Sequence, residues 1–193
     1  MGRIVISGLV AGIVVFVVGA ITHIATPLGT IGIQSLPDDE AFAALMRQSI
    51  HTSGFYFFPA MATGGSKQEQ EAAAQSYSEK ARRGPVGIMV VKTTGSEPMS
   101  MNMLAMELVS NVLAAVVAAI LLSMGIGSPG LAALSSRVFF VTMLGLFASL
   151  SIEVSYWNWY GFPTNYTLAQ FVDQMAGWMF GGLALGAMIK PRP

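Results

Sequence analysis

Residues Ile4–Ala25 read IVISGLVAGIVVFVVGAITHIA, with no Lys, Arg, Asp or Glu anywhere in the run. A helix rises ~1.5 Å per residue, and a hydrocarbon layer ~30 Å thick needs ~20 apolar residues to cross. This stretch is long enough. Three more runs of the same kind follow, Met103–Met124, Leu131–Ile152 and Leu168–Ile189. The expected fold is therefore a membrane α-helical protein: a four-transmembrane-helix bundle with a small extracytoplasmic α/β insertion between the first and second spans. Residues 1–26 hold the first span, 27–101 the insertion, and 102–193 the other three spans, with an aromatic outer loop over 154–166. The first run exceeds the ~7–15-residue core of a signal peptide, and no small-x-small cleavage site follows it, so it reads as a retained anchor.

Composition agrees. Apolar residues make up 53% of the 193-residue chain and charged residues 10%, against roughly 25% charge in a soluble domain. The formal net charge is zero, so nothing attracts a polyanion, and no nucleic-acid partner is expected. Cysteine is absent, which excludes disulfides, thiolate metal sites and a Cys nucleophile.

Basic residues set the expected topology. Arg3 precedes the first span, Arg137 lies near the start of the third, and Lys190 and Arg192 follow the fourth, whereas the loop between the third and fourth spans has no Lys or Arg. The positive-inside rule places both termini in the cytoplasm. The insertion carries Arg47, Lys67, Lys80, Arg82, Arg83 and Lys92, but long segments translocate largely regardless of charge. The expected location is a bacterial inner membrane with the insertion in the periplasm. Arg137 sits close enough to the cytoplasmic face for its long stem to snorkel there.

The insertion reads as helix, strand, helix, strand. Ser35 and Asp38 have capping-box spacing, Pro37 suits a first helical turn, and Phe42, Leu45, Met46 and Ile50 follow at helical intervals. Gly54–Ala60 (GFYFFPA) is an aromatic strand, and Thr63-Gly64-Gly65 a turn. Ser66 and Glu69 form a second capping box, opening a polar helix that Gly84-Pro85 stops; Val86–Thr93 is rich in β-formers.

Small residues four apart predict close helix packing in the spans: Gly8 and Gly12, Gly177 and Gly181, Gly182 and Gly186, and on the second span Ser110, Ala114 and Ala118. The ionisable residues of the spans fall near their outer ends. His23 closes the first, Glu107 (with Asn111) enters the second, Glu153 ends the third, and Asp173 enters the fourth. Each continues a small-residue stripe, and charge within a membrane normally faces the interior or a wet cavity. A shared outer-leaflet site of His23, Glu107, Asn111, Glu153 and Asp173 is the expectation. Trp157 and Trp159, from the string Tyr156–Pro163, would roof it or simply anchor the spans at the interface.

No cofactor is named by the sequence. Met99, Met101, Met103 and Met106, from a total of 13 Met, offer thioethers suited to Cu(I), but Met also fills irregular cores. His23 and His51 are conceivable haem ligands without an attachment motif. The metal is left unassigned. There is no phosphate loop, no G-x-S-x-G elbow and no H-E-x-x-H helix. The leading functional expectation is a non-enzymatic accessory subunit or interaction module, acting through the extracytoplasmic domain on another membrane protein or complex. The alternative is a membrane enzyme or a binder of a lipid, quinone, pigment or metal at the outer polar site. The lipid bilayer is a partner in either case.

Overall fold

The computed structural model describes residues 1–60 and 64–191. Thr63 of the expected turn and Arg192 of the expected basic end lie outside them. The described chain is mostly helical, and it divides into two compact units: Met1–Ile33 together with the chain from Met99 onward, and Gln34–Pro98.

The first unit contains four long helices: α1 (Gly2–Ala25), α4 (Met101–Gly125), α5 (Leu134–Tyr160) and α6 (Thr164–Met188). Between α1 and α4 the chain forms α2 (Asp39–Ser49), β1 (Gly54–Phe58), α3 (Lys67–Arg83) and β2 (Gly87–Val91), all in the second unit. Helices α1, α4 and α5 are long and apolar enough to cross a membrane, which marks the chain as a membrane protein. Helix α6 is as long but is not among those three; Asp173, Gln174 and its glycines dilute its apolar content.

Helix α1 packs along both α4 and α6, and α6 along α5, while α4 meets α5 much less extensively. Each extensive seam is built on glycine. A Cβ on Gly12 would stand 2.5 Å from Val112 Cα, and one on Gly8 2.7 Å from Val116 Cα. On α6, Gly177 and Gly181 face Val15 of α1, and Gly182 and Gly186 face α5 at Val138, Val141, Leu134 and Arg137. Gly145 of α5 in turn receives Trp178. Such close approach is what drives helix association where lipid offers no hydrophobic gain. The fully packed core is correspondingly small-residue: Ala11, Ala115, Ala118, Ala119, Leu122, Val141, Leu185 and Ile189, edged by Ile4, Ile126 and Leu131 at the end of the unit that holds the N-terminus.

Two arginines close that end. Arg3 donates through Nε and Nη2 to Met188 O at 2.9 and 2.5 Å. Arg137 donates through Nε to Gly186 O at 2.9 Å, and through Nη1 to Leu131 O and Ala132 O at 3.0 and 2.6 Å. Arg137 is 5% exposed, so it does not snorkel to the surface as its sequence position suggested. The last turn of a helix presents unpaired carbonyls at the negative end of its dipole, and a guanidinium offers five fixed donors to them.

A second correction concerns residues 154–166. The string Tyr156–Tyr160 is not loop but the last turns of α5. Nothing before Gly161 breaks a helix. Gly161 takes the left-handed conformation (φ 71°), returns its N–H to Tyr156 O, and Pro163 caps α6. The connection is thus only Gly161-Phe162-Pro163. Phe162 lies between Tyr156 and Tyr166, with ring centroids 5.5 and 5.4 Å away.

In the second unit, β1 and β2 pair antiparallel with Gly54 opposite Val91 and Phe58 opposite Gly87, a sheet of two strands. Helix α2 is capped by Asp38, whose Oδ1 accepts from Ala41 N–H at 3.0 Å, and not by the Ser35 of the expected capping box. The cap thus lies three residues later than expected, which leaves Pro37 outside the helix. Helix α3 has the expected box: Ser66 N–H donates to Glu69 Oε2 at 2.7 Å, and Ser66 Oγ stands 2.8 Å from the same oxygen. The backbone bond first, and the hydroxyl second, hold the Glu69 carboxyl below the usual carboxylate range. Gly84 (φ 66°) ends the helix. No described residue from Gln34 to Pro98 is fully buried.

Candidate functional site

The ionisable groups of the long helices do not gather into one centre. His23 and Asp173 come together where α1 ends and α6 begins: His23 Nδ1 is 3.7 Å from Asp173 Oδ1, close enough for an ion pair when the imidazole carries a proton. The Asp173 side chain is 13% exposed and that of His23 46%. Thr22 Oγ1 donates to Asp173 Oδ1 and also lies 2.9 Å from Gly19 O. His23 Nδ1 is itself 3.0 Å from Gly19 O, which ties the imidazole to its own helix. The result is a compact Thr22–Asp173–His23 group between two helices.

Glu107 stands apart. It is exposed on α4 and accepts from Asn111 Nδ2 at 3.1 Å, one turn along the same helix. Glu153 is half-buried on α5 and lies within electrostatic reach of Tyr166 at the start of α6. Trp157 donates from Nε1 to Thr164 Oγ1 at 3.1 Å, clamping the α5–α6 turn. Trp159 is 77% exposed. Among the described residues, no three His, Asp or Glu side chains are grouped so as to hold a metal ion. Met99, Met101, Met103 and Met106 are all exposed.

Several polar residues join the picture only in three dimensions. Trp178 Nε1 donates to Gln174 Oε1 at 3.2 Å. Thr22 bridges α1 and α6 through Asp173. Ser149 and Thr167 are buried, and their hydroxyls have no hydrogen-bond partner. At the other end of α5, Gly130, Leu131, Ser135, Ser136, Phe139, Phe140 and Met143 line a shallow open groove of about 460 Å³. That groove is mainly apolar and contains none of the candidate ionisable residues.

Comparison with protein-family models, with curated proteins and with solved structures finds no match.

Proposed function

We propose that this is a four-pass membrane protein whose Gln34–Pro98 unit lies outside the membrane and docks another membrane protein or complex, so that the chain works as a non-enzymatic accessory subunit. The observation that carries this reading is the incomplete core of that unit. None of its described residues is fully buried, and its sheet stops at two strands. A two-stranded sheet is marginal in water without something packed on it. Among the described residues β1 and β2 form strand pairs only with each other, and the edge of so small a sheet is a template for strand addition by a partner. Leu45, Phe58, Val86 and Val90 stand 58, 40, 59 and 72% exposed, an apolar surface of the kind that marks interaction sites.

A fourth crossing by α6 is supported by its length and by its glycine contacts to α1 and α5. Cytoplasmic termini, in a bacterial inner membrane, are supported by Arg3, Arg137 and Lys190 at one end of the helices.

Hydrogen exchange tests the docking role. The full chain is compared after purification in detergent and in its native membranes. Amides of β1 and β2 should exchange rapidly in the purified protein and become protected in the native membrane, with α1 and α5 slow in both. Slow exchange of β1 and β2 in the purified protein would show a unit complete without a partner, and the proposal would fail.

A further inference from the structure

Hydroxyls in apolar helices have a standard solution, which is to donate to a carbonyl of the preceding turn. Ser7, Ser110, Ser123, Thr142 and Ser151 all do this, with oxygens 2.7 to 3.1 Å from the carbonyl three or four residues back. Ser149 and Thr167 do not. They are 2% and 7% exposed, and neither Oγ nor Oγ1 has a partner. A buried hydroxyl without a hydrogen bond is unfavourable, and native interiors rarely leave one so.

Their surroundings are polar. Gly145 lies against Trp178, and Gly182 against Val141. Continuing that antiparallel register outward brings Ser149 level with Gln174, and Glu153 level with Gln170. Gly145, Ser149 and Glu153 recur every fourth residue along α5. Thr167, Gln170, Gln174 and Trp178 recur at helical spacing along the facing stripe of α6. Gln174 Oε1 is already engaged by the Trp178 indole, so its amide N–H groups have no partner in that bond. Hydroxyl, amide and carboxylate groups thus line one seam that would otherwise be dry.

We infer that the outer half of the α5–α6 seam binds ordered water, held between the hydroxyls of Ser149 and Thr167 and the polar side chains of Glu153, Gln170 and Gln174. Water is the ligand that fits. It both donates and accepts, is small enough for a helix seam, and needs two to four polar partners. It completes both unpartnered hydroxyls and hydrates a half-buried carboxylate in an apolar bundle. This hydrated track is separate from the Thr22–Asp173–His23 group and does not depend on the docking role.

The test uses the full chain in detergent or nanodiscs. Ser149→Ala and Thr167→Val remove the hydroxyls with little change of volume. If water satisfies them, each substitution breaks a completed network and lowers the melting temperature. If the seam is dry, each relieves an unpaired polar group, and the melting temperature holds or rises. Hydroxyl-radical footprinting in ¹⁸O-water gives a readout that stability does not control. Trp178 should take up label in the native protein and several-fold less in Ser149→Val, where a branched side chain displaces the water, with Trp159 labelled equally in both. A melting temperature that holds or rises, a Trp178 that takes no label, or a Trp178 yield indifferent to Ser149→Val would each overturn the inference.

Discussion

Replacing Gly12 by Ala tests the α1–α4 seam directly. The added methyl would stand 2.5 Å from Val112 Cα, 2.8 Å from Val112 N and 2.8 Å from Val112 Cγ2. Carbon atoms rest at about 3.5–4.0 Å, so the helices must part by about 1 Å along this seam. Two of the three atoms belong to the backbone, so a rotamer change in Val112 cannot relieve the clash. Overpacking of this kind costs about 1–3 kcal/mol, offset by about 0.5–1 kcal/mol from replacing Gly within a helix. Near the middle of both ranges the net loss is about 1–2 kcal/mol. At about 2–4 °C per kcal/mol for a chain of this size, the melting temperature should fall by about 2–8 °C. Gly19→Ala is the control: it lies on the same helix, but its Cβ would meet nothing within 4 Å. It should melt at or slightly above the native temperature. Both are followed by far-UV circular dichroism in one detergent. Equal melting of Gly12→Ala and Gly19→Ala would refute the close-approach reasoning.

The remaining predictions concern topology and the second unit. With cytoplasmic termini, a membrane-impermeant thiol reagent added outside should label Lys67→Cys and Asn158→Cys but spare a cysteine added at the C-terminus; outside labelling of that terminus would reverse the assignment. The Ser66–Glu69 box should make the first turn of α3 sensitive to acid. Because the folded carboxyl titrates below its usual range, its contribution is present above the unfolded value of about 4.3 and is lost as the pH falls through the folded one. Amide protection at Glu69 and Gln70, taken relative to the intrinsic exchange rate at each pH, should therefore fall on acidification more than that of α2, and Glu69→Gln should abolish the difference.

The sequence pattern carried the helices and their seams further than it carried the site. Gly8, Gly12, Gly177, Gly181, Gly182 and Gly186 were legible because spacing alone puts small residues on one face, and backbone approach needs nothing more. Both strands were legible from their β-branched and aromatic runs, within a few residues of Gly54–Phe58 and Gly87–Val91. Arg137 was not, because its acceptor on Gly186 lies 49 residues away, and depth from the surface does not reveal a helix end folded beside it. The Tyr156–Tyr160 string looked like loop from its aromatic content, yet aromatic residues do not end helices, and Gly161 does. The meeting of His23 with Asp173 agrees with the expectation that both sit at the same end of the helices. The exposure of Glu107 did not follow, because a stripe fixes which face a residue occupies and leaves open whether a neighbour covers it. In the structure α4 and α5 scarcely meet.

The hydrogen bonds from Arg3 to Met188 O join residues 185 apart in sequence, and this sets a schedule. Arg3 leaves the ribosome 185 residues ahead of its acceptor. At about 5–20 residues per second, α1 spends several seconds in the membrane after α4 is complete and before α6 exists. Over that interval the fit of Gly8 and Gly12 against Val116 and Val112 is the pairing open to it, since its α6 partners have yet to be made. The fit of α1 on α4 is thus a holding position during biogenesis as well as a contact of the finished protein. A ribosome stalled with α4 clear of the exit tunnel and α6 still inside it should already yield an α1–α4 pair that crosslinks between positions 8 and 116, whereas failure to crosslink until α6 emerges would mean that the bundle assembles in one late step.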